Sequence, residues 1–235
     1  MMSLILRNPH SILAALEARP QDVREVWVPS KALAGSWSQV VRLAQDRRIG
    51  VRSGEEGARM GLAGAKISEK EPISLEGLFQ EARQRKNGKG LWLALDSLQD
   101  PQNVGAIFRV AAFFEVQGIL MTQERSASLT STVYDVASGG VECVPFSIQT
   151  NLQRAFEKAK ESGLWILGAS EHATDDLKSI PRDRPWLLVI GNEEKGLRRL
   201  TGEACDVMCR ISGTGKVGSL NAAVAAGILI HQLTA

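Results

Sequence analysis

This sequence predicts an α/β fold built on a parallel sheet, and three observations carry that reading. From residue 91 onward, apolar runs of strand length alternate with stretches of helix length. The runs are apolar throughout, as strands covered on both faces are, whereas a half-exposed strand would alternate. Three of them lead into turns rich in glycine, amides and charge, at the strand ends where open α/β sheets bind ligands.

The 235 residues suffice for one large domain or two modest ones, and 44% hydrophobic residues supply a core. In the front part, residues 10–17 read as a short helix with Ile12, Leu13 and Leu16 on one side. Residues 23–28 read as a strand, 37–46 as a helix with Val40, Val41 and Leu43 apolar, and 49–51 as a short strand. Together they make a small α/β domain over residues 1–66. Residues 67–90 are charged, contain Pro72 and the basic, glycine-broken stretch 84–90, and read as a linker with one helix at 75–82. The domain 91–235 then offers strands at 91–95, 117–121, 164–167 and 186–190 and one ending at Ile211. Its helices fall at 103–114, 130–137, 152–161, 197–202 and 220–233. Asp100 can cap the first of these, Pro101 can sit in its first turn, and Gly105 lets another group approach closely. The last helix has no polar face between Ala222 and Ile230, the pattern of a helix buried all round. A single chain of this size buries such a helix poorly, so a second subunit is expected to cover it.

Charge is unevenly spread. Residues 1–90 carry 15 Lys/Arg against 10 Asp/Glu, and residues 91–235 carry 13 against 16. A basic front half points to a polyanionic partner. Cys143, Cys205 and Cys209 are odd in number and form no C-x-x-C, which argues against a disulfide framework and a structural zinc site. Cys205 and Cys209 are spaced to share a helix face. No run reaches transmembrane length and the N-terminus lacks a signal-type apolar region, so a soluble cytoplasmic protein without metal is expected.

Gly213-Thr-Gly-Lys-Val-Gly218 matches the dinucleotide fingerprint G-x-G-x-x-G between a strand and a helix. The context fails, because no second strand and no acidic residue follow it to hold a ribose. What remains is a bare-backbone loop able to bond a ligand through main-chain groups. A second cluster, Gly191-Asn-Glu-Glu-Lys-Gly196, follows the strand at 186–190, and a third, Ser219-Leu-Asn221, opens the last helix. The turns after residues 95, 190 and 211 can converge at one edge of one sheet. They would bring together the amide of Asn103 and the guanidinium of Arg109 with two glycine-rich loops.

These residues resemble the motifs of the SpoU (TrmH-like) branch of the SPOUT RNA methyltransferases. The first motif, acid-Pro-x-Asn-x-Gly-x-x-x-Arg, stands as Asp100 to Arg109; the second, Gly-x-Glu-x-x-Gly, as Gly191 to Gly196; the third runs from Ile211 to Asn221. In overall look the chain is most similar to the bacterial subgroup that methylates a guanosine ribose in large-subunit rRNA. The resemblance implies a parallel-sheet domain with a deep trefoil knot and a homodimer. It also implies S-adenosylmethionine held among the knotted loops by Gly191, Asn192, Gly196, Ile211, Ser219 and Leu220. The front domain is similar to a ribosomal-protein-like RNA-binding fold, with Arg42, Arg47, Arg48, Arg52 and Lys66 as phosphate contacts.

Methyl transfer to a ribose 2′-hydroxyl then needs in-line positioning and loss of the hydroxyl proton. Arg109 is the family's candidate for activation, and because arginine keeps its proton in proteins it is read as a charge that stabilises the developing alkoxide and grips a phosphate. Asn103 is expected to orient the ribose or Arg109, Glu193 to hold Arg109 or a substrate donor, and Ser219 and Asn221 to shape the site. A tRNA ribose methyltransferase and a silent RNA-binding relative are the alternatives, and a nucleotide-dependent oxidoreductase is disfavoured by the context of Gly213.

Overall fold

The computed structural model describes residues 3–29, 35–80, 82 and 89–234. Two sheets organise the chain. The first has four strands in the order β1-β4-β2-β3, with β1 at Ser3–Leu6, β2 at Val23–Val28, β3 at Gly50–Ser53 and β4 at Gly64–Ser68. Helices α1 (Pro9–Ala18) and α2 (Ser36–Asp46) pack on it through Ile12, Leu16, Val40 and Ala44, which are buried with Leu6, Val26 and Ile67 of the strands. A short α3 (Glu55–Arg59) precedes β4.

Two strands of this sheet were not expected from the sequence. β1 is four residues long, and β4 carries Lys66 between apolar neighbours, which reads as surface. In the sheet Lys66 lies directly across from Ile5 on one side and Glu25 on the other, so its face is the open one. Of the segment expected to link the domains, residues 67–68 complete β4 and Leu75–Leu78 form α4. Leu75, Leu78 and Phe79 are buried with Trp92, Leu120 and Phe156. The basic stretch 84–90 lies outside the described residues except for its last two.

The second sheet is parallel throughout, in the order β7-β6-β5-β10-β8-β11-β9. Its strands are β5 (Gly90–Leu95), β6 (Gly118–Thr122), β7 (Phe146–Gln149), β8 (Trp165–Ala169), β9 (Asp175–Asp176), β10 (Pro185–Ile190) and β11 (Val207–Arg210). The chain builds outward from β5 through β6 and β7, crosses to β8, and then returns to insert β10 between β5 and β8. The strand order therefore reverses beside β5, and a crevice at the carboxyl ends is the geometric result.

Side chains alternate faces along each buried strand. Leu91, Leu93 and Leu95 join the core under α5 (Pro101–Phe113), α6 (Ser131–Ala137), α7 (Gly140–Cys143) and α10 (Ala222–Thr234). Trp92 and Ala94 join the other layer, under α4 and α8 (Leu152–Glu161). A short α9 (Arg199–Ala204) leads into β11. Gly105 serves α6, since a Cβ there would stand 2.8 Å from the Val133 carbonyl oxygen.

One expectation needs correction. Cys205 ends α9 and Cys209 lies in β11, so they share no helix face. Within this chain the last helix buries Ala222, Ala226, Leu229 and Ile230 and leaves Val224 and Ile228 52% and 39% exposed. Asn221 caps that helix, its Oδ1 accepting from the N–H groups of Ala223 at 2.9 Å and Val224 at 3.3 Å. Among the described residues no helix is long and apolar enough to cross a membrane.

The two sheets are joined by a polar seam. Arg19, in the first unit, donates to both carboxylate oxygens of Glu142 at 2.8 Å and to the Ser68 carbonyl at 2.6 Å. Lys70 Nζ donates to the carbonyls of Val141, Glu142 and Val144, which ends the short α7. The Lys70 backbone N–H donates to the hydroxyl of Tyr134 at 2.8 Å, and Ser11 Oγ donates to the Tyr134 carbonyl at 2.6 Å.

Candidate active site

Because every strand of the second sheet runs the same way, the turns after β5, β8, β10 and β11 all emerge at one edge. After β5 the chain turns through residues 96–100 and starts α5, with Asp100 Oδ1 accepting from Gln102 N–H at 2.8 Å and Pro101 in the first turn. Asn103 is thereby placed one turn into α5, buried and aimed back at the strand ends.

After β10 the loop Gly191–Gly196 closes on itself. Asn192 and Gly196 exchange backbone hydrogen bonds at 3.0 and 2.9 Å. Asn192 Oδ1 also accepts from the N–H groups of Glu194 and Lys195. The closure brings backbone against backbone at Gly191, where a Cβ would stand 2.3 Å from the Gly196 carbonyl carbon. Only glycine fits there. After β11 the chain from Ile211 to Asn221 is open. Added Cβ atoms at Gly213, Gly215 and Gly218 would meet nothing within 4 Å.

Side chains of the three motifs join in one directed chain. Asn221 Nδ2 donates to Asn103 Oδ1 at 2.9 Å, and Asn103 Nδ2 donates to Glu193 Oε1 at 3.1 Å. The orientation is fixed chemically. A carboxylate only accepts, so the Asn103 amino group must face Glu193 and its oxygen must face Asn221. Asn221 spends its own oxygen on the helix cap, which leaves its amino group for Asn103. Glu193 also accepts from the N–H groups of Asp100 at 3.3 Å and Gln99 at 3.5 Å. Partial burial pushes the Glu193 carboxyl up, but hydrogen bonds from Asn103 and from the backbone of Glu193, Asp100 and Gln99 outweigh it and hold it below the usual carboxylate value.

Beside this chain lies a cleft of about 650 Å³. Gly191, Asn192, Gly196, Ile211, Ser219 and Leu220 all line it, as does Glu193. The cleft also takes in Ala169 at the end of β8 and Ser170, Glu171 and His172 after it, none of them expected from the sequence. The signal for them was present: Gly168-Ala-Ser170 follows an apolar strand as Gly191 and Gly213 do, only with fewer glycines.

Arg109 is not part of this network. It is exposed on α5, outside the cleft lining, and Glu193 holds Asn103 rather than Arg109. The five basic residues expected to contact RNA are spread over α2, the turn that follows it, β3 and β4. Arg47 and Arg48 line a shallow recess with Arg24, and Arg42 is exposed on α2. Arg52 is paired with Glu25 at 3.1 Å and lies 3.9 Å from Glu56, while Lys66 is opposite Glu25 in the sheet register.

A glycine-walled cleft at the switch point of a parallel sheet defines a class, that of α/β enzymes binding a small cofactor at the strand ends. The pattern of the SpoU rRNA Methylase family matches residues 90–231. The chain is 35% identical over 234 residues to the 23S rRNA (guanosine-2'-O-)-methyltransferase RlmB of Pseudomonas aeruginosa, covering 95% of this chain and 93% of that one. It is 34% identical over 233 residues to RlmB of Nitrosomonas europaea, covering 95% and 88%. The fold is similar to that of the SpoU methyltransferase AviRb from Streptomyces viridochromogenes in complex with the cofactor AdoMet. The TM-score is 0.76 at 20% identity, over 99% of this chain and 89% of that one. The chain belongs to the SpoU rRNA methylase family.

Proposed function

We propose that this protein transfers a methyl group from S-adenosylmethionine to a ribose 2′-hydroxyl of structured RNA, a guanosine of 23S rRNA. The observation that carries this reading is the Asn221–Asn103–Glu193 chain, which ties the three family motifs together at the mouth of one cleft. The cleft's volume falls in the usual range for small-molecule sites, roughly 300–1,000 Å³. Its bare-backbone walls suit a nucleoside held by main-chain groups. Gly191, Asn192, Gly196, Ile211, Ser219 and Leu220 would hold the cofactor, which supplies an electrophilic methyl group.

The chain's own residues then act on the acceptor. Asn103 is locked between a carboxylate and an amide, so its position is set before substrate arrives. Glu193, held ionised, fixes that lock. Arg109, exposed and without an ion-pair partner among the described residues, is free to take an RNA phosphate and to stabilise the alkoxide as the hydroxyl loses its proton. A phosphate oxygen or water accepts the proton. Arg47 and Arg48, with Arg42, Arg52 and Lys66, are read as phosphate contacts of an RNA-binding unit over residues 1–66.

Two further expectations belong to the same reading. Val224 and Ile228 lie four residues apart on α10, and Phe113 at the neighbouring end of α5 is 80% exposed. This apolar strip supports a homodimer. The late insertion of β10 and the bond from Asn221 back to α5 are the features that favour a knotted C-terminal segment. A cytoplasmic protein with three free thiols fits an rRNA substrate.

The test is methyl transfer from labelled S-adenosylmethionine to 23S rRNA and to tRNA, with ribose-methyl mapping in cells with and without the protein. One guanosine in 23S rRNA should lose its mark in the deletion. Label confined to tRNA, or none on any RNA, would overturn the assignment.

A further inference from the structure

β5 ends at Leu95, and the next residue is a fully buried aspartate that none of the motifs includes. Burying a carboxylate is costly unless it is paired and bonded. Asp96 is both. Its Oδ1 accepts from Arg198 Nε at 2.7 Å and from Ser97 Oγ at 3.1 Å, and its Oδ2 accepts from Arg198 backbone N–H at 3.3 Å. Its own N–H donates to the Ile190 carbonyl at 2.8 Å, carrying the β5–β10 pairing one residue past the strand end.

Arg198 is the exit of the glycine loop. It lines the cleft with Leu197 and Arg199 and begins α9 without any side-chain cap of its own. The loop is therefore pinned to the turn after β5 at three points. Asn192 Nδ2 holds its entrance, donating to the Ser97 carbonyl at 2.9 Å. Glu193 holds its tip through Gln99, Asp100 and Asn103. Among the described residues, the side-chain contact that holds its exit is Asp96. A carboxylate serving only to finish the strand would not need an arginine from a cleft wall.

We propose that Asp96 is a positioning residue: its carboxylate latches Arg198 and so sets the cleft-side shape of the Gly191–Gly196 loop before the methyl donor binds. The proposal rests on the cofactor reading of the cleft. Asp96 touches neither the cleft nor the reacting groups, so its effect reaches the reaction only through the loop.

The experiment compares Asp96→Asn, Arg198→Ala, Arg198→Lys and the double variant Asp96→Asn/Arg198→Ala. S-adenosylhomocysteine affinity is measured by calorimetry, and backbone hydrogen exchange is measured in the cofactor-free protein. Loss of a charge-assisted bond should weaken S-adenosylhomocysteine binding about tenfold in Asp96→Asn. Exchange should accelerate at residues 192–198 while residues 91–95 stay as protected as in the parent. Arg198→Ala should match it, the double variant should be no worse than Arg198→Ala, and Arg198→Lys should regain part of the affinity. Unchanged affinity, or acceleration spread evenly through β5 and β10, would overturn the latch, since Asp96 would then merely hold the sheet. A parent protein that binds no S-adenosylhomocysteine would sink the cofactor reading instead, and the exchange arm would still decide whether the latch exists.

Discussion

The seam between the two sheets and the cleft at the strand ends are both made of polar side chains, and they use them in opposite ways. The seam buries full charges. Arg19 and Glu142 are 7% and 9% exposed, and their donors and acceptors are spent on each other, on Asp22 and on the Ser68 carbonyl. Burial lowers the Lys70 pKa, with the Glu142 charge opposing that shift, and pushes the lone tyrosine, Tyr134, up to about 12. The cleft instead combines bare backbone and amides with charged side chains that stay exposed, Glu171, Glu193, Arg198 and Arg210 among them, and leaves Arg109 outside. Where nothing has to enter or leave, buried charge fixes two units in one relation. Where a ligand must exchange, the charges of the wall stay open to solvent and only the contacts that tie the loops together are locked.

Breaking the seam should give the largest effect. Glu142→Ala strips the buried Arg19 of its bidentate partner and leaves it only the partly exposed Asp22 at 3.3 Å, an expected loss of about 3–5 kcal/mol in urea unfolding. Replacing the pair together, Arg19→Met with Glu142→Leu, should recover most of that loss, because apolar packing replaces a satisfied ion pair nearly without cost. A Glu142→Ala protein unfolding at the parent's midpoint would show that the seam is not sealed.

On the cleft side, Arg109→Ala should lower methyl transfer by about 10²–10³, the usual effect of removing one charge-stabilising donor. S-adenosylhomocysteine affinity should hold, since Arg109 lies outside the cleft. Near-parental turnover would remove Arg109 from the mechanism.

The contrast also explains what the sequence could and could not reveal. The strands of the second sheet were legible because they are buried on both faces and read as unbroken apolar runs, as Leu91 to Leu95 does. The motif residues were legible because unusual types recur at strand ends. β1 and β4 were hidden, since each pairs with a partner more than fifty residues away and Lys66 breaks the apolar pattern. The seam was hidden for the same reason. Nothing local marks Arg19 and Glu142 as partners 123 residues apart. Asp96 escaped because a single acid after a strand reads as the start of a turn. The Asn103–Glu193 contact was half legible: the motifs were expected to meet, but Glu193 was expected to hold Arg109 or a substrate donor, not Asn103.

A finer cut separates the two duties of Asn221, which caps α10 and reaches Asn103. Asn221→Ser keeps a capping oxygen but is too short to reach Asn103. Its stability should stay within about 0.5 kcal/mol of the parent, because serine caps nearly as well as asparagine. Its kcat should fall while S-adenosylhomocysteine affinity is kept, since Asn103 loses one of its two fixed partners. A matching fall in stability and kcat would mean that Asn221 acts only as a cap.

The smallest expected effect is a pH dependence at Glu193, and its sign follows from the direction of the shift. The carboxyl titrates below its ordinary value in the folded loop, because the hydrogen bonds from Asn103 and the neighbouring backbone outweigh the opposing effect of burial. Its ionised form therefore favours the folded state. That contribution is complete above the ordinary glutamate value of about 4.3 and is lost as pH falls through the depressed one. Glu193→Gln removes the titration while keeping the size of the side chain. Thermal unfolding of parent and variant should differ by a constant amount from neutral pH down to about 5. The difference should narrow as the solution becomes more acidic, because the parent's carboxylate is then protonated too. A gap that widened on acidification would mean that Glu193 is better bonded when neutral, and the directed chain from Asn221 through Asn103 would have to run the other way.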